Sequence, residues 1–404
     1  MSIQRVFLAV YLLLPTLSPG INLDPVVSIE LTKPQVTNVN ASYTFDDSIA
    51  LSANILNYEE VQGVTLFIQA EKQNLYNKEI ILTEPSEISS RIPISELQIQ
   101  PFSRVYYWFQ IDCINGTTVT SEKFELDYID NRFEWNKVSD SDFIIHWIGN
   151  REGINLKALD LAQSASLEIQ NNLNLKSNHL IQIFIYDNKK TLQEAIHIIH
   201  TDWVGGQAIL ENNVILLSIP FSSDDLDEFD RQIKHELTHI LLYQNSGSYL
   251  YYLNIPFWLN EGLAGLNENI SNPAYNKALE DAVNNDQLIP IEDLIRSFPQ
   301  SDKEITLAYA ESISFTKYIF HNYGYEGLQN LLLQLKNGKD CQESIQSGLS
   351  TTLEKLEYDW QQSELNIHPE NKLISNIFPY LLFGLLIIAT PIIISLITQT
   401  NKKS

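Results

Sequence analysis

Gln232-Ile233-Lys234-His235-Glu236-Leu237-Thr238-His239-Ile240-Leu241, followed by Trp258-Leu259-Asn260-Glu261-Gly262-Leu263-Ala264, decides how the rest of this chain is read. His235 and His239 stand four residues apart, so on a helix their side chains share one face, one turn apart. Two imidazoles in that geometry can hold one Zn2+ at about 2.0–2.1 Å each. Glu236 points about 100° around the helix from the two-histidine axis. That direction suits a general base acting on a water beside the metal better than a third ligand. Ile233, Leu237, Ile240 and Leu241 form an apolar stripe that would seat the helix in a core with no metal at all. The second stretch separates these readings. A catalytic zinc needs a third protein ligand, and Glu261 arrives in a short helical stretch that Pro256 can open.

H-E-L-T-H followed by W-L-N-E-G-L-A resembles the gluzincin zinc metallopeptidases of the peptidase MA-like family. The resemblance implies one Zn2+ held by His235, His239 and Glu261, with Glu236 as the base and a peptide or protein as substrate. Many gluzincins carry an acidic residue shortly after the third ligand, which orients a ligand histidine. Ala264 and Gly265 stand there instead, so no partner is identified that would fix the histidine tautomers. Leu307-Ala308-Tyr309-Ala310-Glu311-Ser312-Ile313-Ser314-Phe315 also resembles a helix of that family in which a tyrosine faces the zinc. That likeness makes Tyr309 the candidate donor to the oxyanion of a tetrahedral intermediate, a core tyrosine being the alternative.

At 404 residues the chain has room for two ordinary domains, and a hydrophobic fraction of 44% can fill their cores. Lysine and arginine number 26 against 50 acidic residues, a net charge of −24 with no basic run, which excludes a nucleic-acid partner. Residues 1–20 read as a signal peptide: Arg5, an apolar run, then Ser18 and Gly20 as small residues before a cut. Residues 377–397 are 21 residues without a charge, long enough to span about 30 Å of hydrocarbon, with Lys402 and Lys403 following. This pattern predicts a single-pass protein of the cell membrane with its bulk extracytoplasmic and a short cytoplasmic tail at 398–404. Cys113 and Cys341 lie far apart. They make neither a disulfide framework nor a thiolate zinc site, which leaves free thiols or one interdomain bridge open.

From 21 to 130 short runs rich in β-branched and aromatic residues alternate with turn residues, the pattern of an immunoglobulin-like β-sandwich. Tyr106, Tyr107 and Trp108 read as core and cross-strand pairs rather than a ligand platform, and the partner of this domain is unknown. The metallopeptidase domain covers 131–368, a small sheet with mostly helices. Strands are expected at 143–147, 180–186, 203–209 and 213–217, with helices at 156–173 and 190–200, and helical structure after Ala264. Gly205 and Gly206 would let another backbone approach the sheet edge, as peptide substrates do in gluzincins by adding a strand; an ordinary bulge or turn is the alternative. The clustered acids at 222–228 suit a helix N-terminus. His197, His200 and His321 lack metal spacing. The expected fold class is therefore α+β: an N-terminal immunoglobulin-like β-sandwich, a gluzincin-type metallopeptidase domain and one C-terminal transmembrane helix. The expected function is a membrane-anchored zinc endopeptidase. The alternatives are an aminopeptidase, or a non-catalytic extracytoplasmic binding or adhesion protein on a peptidase fold.

Overall fold

The computed structural model describes residues 33–82, 86–150, 154–196, 205–219, 225–268, 272–299 and 301–367. The N-terminal part is all β apart from single helical turns. Strands β1 (Gln35–Thr44), β2 (Ser48–Leu56) and β5 (Glu87–Pro93) form one antiparallel sheet in the order β1-β2-β5. Strands β3 (Val61–Ala70), β4 (Leu75–Ile80), β6 (Ser103–Cys113), β7 (Thr118–Thr120) and β8 (Phe124–Tyr128) form the other. The short helix α1 (Ile94–Leu97) links β5 to β6. In β6, Val105, Tyr107, Phe109 and Ile111 are buried at a period of two, facing Ile49, Leu51, Ala53 and Ile55 of β2 in one core. The outward Trp108 pairs across the ladder with Phe67, rings stacked at 5.4 Å.

The sheet of the C-terminal half is mixed. Strands β9 (Trp135–Ser139), β10 (Phe143–Ile148), β11 (Ile181–Tyr186), β12 (Gly206–Ile209) and β13 (Val214–Ser218) lie in the order β12-β13-β11-β10-β9. Its centre is parallel and its two edge strands run antiparallel to their neighbours. Central strands of this kind are covered on both faces and read as continuous apolar runs. One face carries Phe143, Ile145, Ile183, Ile185, Ile215 and Leu217 against helices α2 (Ile154–Leu173) and α4 (Asp225–Ser246). The opposite face carries Phe184, Tyr186, Val214 and Leu216, which join the core of the β-sandwich. Helix α3 (Lys189–Ala195), capped by the Asn188 side chain, packs its Leu192 into that same core.

At the junction Asp130 is fully buried, and its carboxylate accepts from the Arg132 guanidinium at 2.7 and 2.9 Å and from the Tyr186 hydroxyl at 3.0 Å. Its carbonyl accepts from the Trp135 indole at 2.7 Å. One side chain thus ties the last β-sandwich residues to the central sheet. Cys113 and Cys341 are both free and buried, so no bridge joins the two halves.

The remaining helices are α5 (Tyr249–Tyr252), α6 (Phe257–Asn267), α7 (Pro273–Asn285), α8 (Asp302–Lys336), α9 (Cys341–Leu349) and α10 (Leu353–Ser363). Helix α8 breaks at Gly324, whose φ of 65° and ψ of −174° only glycine adopts readily. Helical structure is not continuous after Ala264, as the sequence suggested. Residues 286–299 form turns around Pro290, and the carbonyls of Leu294 and Ile295 accept from Trp258 and Phe257 at the start of α6. Buried Glu311 holds this segment from below by accepting from the Ile289 N–H at 3.0 Å.

The fold is α+β, but the expected fold class needs correction in its last element. Among the described residues no helix is long and apolar enough to cross a membrane. Helix α8, the longest at 35 residues, is interrupted at Gly324 and carries Asp302, Lys303, Glu304, Glu311, Lys317 and Glu326 along its length. The segments 1–20, 377–397 and 398–404, read from sequence as signal, transmembrane helix and tail, lie outside the described residues.

Asp130→Ala should cost about 1–3 kcal/mol in chemical denaturation, because it strands the buried Tyr186 hydroxyl and leaves the partly exposed Arg132 with Glu194 as its remaining carboxylate partner among the described residues; a loss below about 0.5 kcal/mol would remove its role as the tie. Burial raises the Glu311 carboxyl to about 8. The folded chain therefore keeps a proton that the unfolded chain releases near pH 4.5, and stability should fall as pH rises from 4.5 towards 8. The slope is at most about 1.4 kcal/mol per pH unit, and Glu311→Gln should flatten it in melts taken across that range.

Candidate metal centre and cleft

Helix α4 forms because Phe229, Ile233, Leu237, Ile240 and Leu241 recur at helical spacing and are all buried against the sheet. That anchoring turns His235, Glu236 and His239 towards a cleft of about 460 Å³, which Glu261, Tyr252, Tyr275 and Tyr309 also line. Glu261 comes from α6, whose N-terminus is fixed by the 286–299 turns. His235 Nε2 and His239 Nε2 each lie 3.6 Å from Glu261 Oε2. One ligand atom from each of the three falls within 4.8 Å of the others.

The orientation of both rings is set from behind. His235 Nδ1 lies 2.7 Å from Glu268 Oε1, and His239 Nδ1 lies 3.0 Å from Asn260 Oδ1. Both partners accept, so each ring carries its proton on Nδ1 and turns Nε2 inward. Glu268 is itself gripped at 2.9 Å by Arg231, while Asn260 donates to the Tyr252 hydroxyl at 2.8 Å.

Electrostatically the cluster is a trap for positive charge. Burial disfavours the charged imidazole of His235, yet Glu261 and Glu268 outweigh it and hold the ring well above its usual range. Burial also opposes ionisation of Glu261, and the two histidines overcome it, so this carboxyl sits below its usual value. Glu268 is lowered against burial by His235 and Arg231. Glu236 differs: burial dominates and raises it, although the histidines and a hydrogen bond from the Ala208 backbone pull the other way. Glu261 Oε2 is buried with no hydrogen-bond partner among the described residues. Two imidazole nitrogens and one carboxylate oxygen, the last an orphaned buried acceptor, suit a divalent cation that takes nitrogen and oxygen ligands.

Tyr309 lines the same cleft, stacked on Tyr275 at 6.1 Å and edge-on to Phe298 at 5.0 Å. Burial, then the charge of Glu261, pushes its phenol up from the usual value, so it stays a proton donor at neutral pH. The cleft's other rim is strand β12. It sits at the end of the sheet and, among the described residues, pairs with β13 alone, and Gly205 to Ala208 face the cleft. A Cβ at Gly206 would stand 2.8 Å from Glu236 Oε1, so glycine is what lets the carboxylate lie against the strand.

Glu268, Asn260 and Arg231 escaped the sequence reading. Glu268 lies seven residues beyond Glu261, two turns on along the same face of α6, and that period was its signal. The nearer position is closed because α6 packs tightly on α8. A Cβ on Gly265 would collide with the Ile313 side chain, and one on Gly262 would stand 2.6 Å from the Ser312 carbonyl oxygen. His146 and His321 stay away from the cluster. His146 stacks on Phe184 at 4.1 Å, and His321 is exposed midway along α8, just before its break at Gly324. His197 and His200 lie outside the described residues.

The sequence pattern of the Peptidase MA superfamily matches residues 161–366, just over half of the chain, and the chain belongs to that superfamily. It is therefore a peptidase-family protein by descent. Comparison with curated proteins gave no match. Among solved structures, an aminopeptidase N family protein from Idiomarina loihiensis aligns over 84% of this chain and 74% of its own, at 9% identity and a TM-score of 0.37. OgpA from Akkermansia muciniphila aligns over 24% of this chain and 29% of its own, at 18% identity and a TM-score of 0.21. A structure described as a myokine aligns over 23% of this chain and 95% of its own, at 18% identity and a TM-score of 0.20.

Glu268→Ala should weaken divalent-metal binding about 10–100-fold while the fold is kept, as loss of an orienting carboxylate does elsewhere. Competition with a chelator checks this, and an unchanged affinity would show that Glu268 does not orient His235.

Proposed function

We propose that this protein is a zinc-dependent endopeptidase of the gluzincin type. The observation that carries the reading is the convergence of His235, His239 and Glu261 around a buried carboxylate oxygen that has no hydrogen-bond partner among the described residues. These three would hold one Zn2+, which when bound supplies Lewis acidity to the scissile carbonyl and makes water a stronger acid. Glu236, raised by burial, takes the proton of the attacking water and passes it to the leaving amine. Tyr309 donates its phenolic hydrogen to the developing oxyanion. A peptide lies extended beside β12, whose alternation turns the Gly206 N–H and C=O towards the cleft, since the Gly205 carbonyl accepts from Ser218 on the β13 side.

Endopeptidase is preferred to aminopeptidase on the charges of the cleft. Among the described residues its carboxylates are Glu236, Glu261 and Glu268. Glu236 serves as the base and the other two are committed to the histidine cluster and Arg231, which leaves none of the three to hold a substrate ammonium. The apolar leader at 1–20 supports a catalytic domain outside the cytoplasm, and a mature N-terminus at Ile21 would establish its removal.

The test is cleavage of a peptide library by the full-length protein and by Glu236→Gln, with bound metal measured in both. One zinc per chain in each, with cleavage reduced about 10²- to 10⁴-fold by the substitution, is expected. Zinc without cleavage by the parent would favour a binding protein on a peptidase fold. Absence of zinc from the folded parent would end the metallopeptidase reading.

A further inference from the structure

Gln232 sits on α4 one turn before Glu236, lines the cleft and is only 4% exposed. Its amide nitrogen donates to Glu228 Oε1 at 2.6 Å. Glu228 in turn accepts from Arg231 through both oxygens, at 2.7 and 2.8 Å. Burial works against its charge, and Arg231 and Gln232 outweigh it, so the carboxyl lies below its usual value and stays an acceptor. A carboxylate can bond only the nitrogen end of a carboxamide, so the Gln232 amide cannot turn over. Its oxygen, Oε1, is left buried with no hydrogen-bond partner among the described residues. A buried, unsatisfied acceptor held rigid by a guanidinium–carboxylate pair calls for a ligand that donates.

The surroundings say which ligand. A Cβ at Gly205 would stand 2.9 Å from the Gln232 amide nitrogen, so the glycine brings the carboxamide against the backbone at the start of β12. One helical turn separates Gln232 from Glu236, about 5.4 Å, close to two residues of extended chain at about 3.3 Å each. We infer that Gln232 reads the peptide backbone: Oε1 accepts a hydrogen bond from a main-chain N–H of substrate lying along β12, about two residues from the scissile bond. This inference rests on the peptidase reading. The partner is the amide donor common to all sequences, so the contact fixes substrate register rather than side-chain preference. It differs from the contacts of Glu268 and Asn260, which act on the protein's own histidines.

The test takes a peptide cleaved by the parent, acetylated at its N-terminus, and analogues in which one amide at a time is replaced by an ester. Each ester removes one N–H donor and keeps the chain extended. The parent should lose about 5- to 20-fold in kcat/KM at one ester position, about two residues from the cleavage site. Gln232→Met should be slower on the all-amide peptide and lose less than about twofold at that same position. Gly205→Ala, which displaces the carboxamide without deleting it, should show the same insensitivity and serves where Gln232→Met fails to fold. Equal ester penalties in parent and variants would overturn the inference while leaving the peptidase reading intact. Failure of the parent to cleave any peptide would overturn both.

Discussion

Everything in the cleft depends on two imidazole rings being held with their Nε2 atoms inward. A helix supplies the spacing of His235 and His239, but it does not fix how each ring rotates about its side-chain bonds. Glu268 and Asn260 do that, and both come from α6 or its C-terminal cap, the helix that also delivers Glu261. The angle between α4 and α6 is therefore the quantity that the architecture must protect. It is protected on one side by glycines 262 and 265 closing α6 onto α8, and on the other by the turns whose carbonyls cap the start of α6.

The same dependence explains where polar groups have been buried far from the cleft. Glu311 lies within the helical layer and accepts its hydrogen bond from Ile289 rather than from a cleft residue, yet it steadies the turns that steady α6. A carboxyl in such surroundings costs stability when it ionises. Kept protonated at neutral pH by burial, Glu311 avoids that cost while it pins a segment with little regular structure of its own.

How much of this could be read from the sequence follows from the range of the interactions involved. The four-residue spacing of His235 and His239 is a property of one helix, and its meaning is local. Alternation in β6 and the apolar runs of β10, β11 and β13 are likewise local, and strands stand there. The orienting carboxylate was missed because the expected place for it, one turn after Glu261, is filled by α8. Only the packing of two distant segments reveals that Ala264 and Gly265 have no room to be acidic. Gln232 looked like an ordinary polar residue on a helix, since its unsatisfied oxygen arises from Glu228, Arg231 and Gly205 acting together. The turns at 286–299 defeated the helical reading because their hydrogen bonds reach out to α6 and to side chains of later helices.

Phe184, Tyr186, Val214 and Leu216 belong to strands of the sheet that supports α4, yet they are buried by the β-sandwich. The central strands β10, β11 and β13 are thus covered on both faces, and the N-terminal half acts as their second wall. An isolated C-terminal half would present a continuous apolar surface to water, and the Tyr186 hydroxyl would be parted from Asp130 or left bonded to it in the open. Such a surface is an association hazard for a freely diffusing protein. The two halves are consequently partners in one folding unit, and any proteolytic trimming compatible with an intact cleft must spare the β-sandwich.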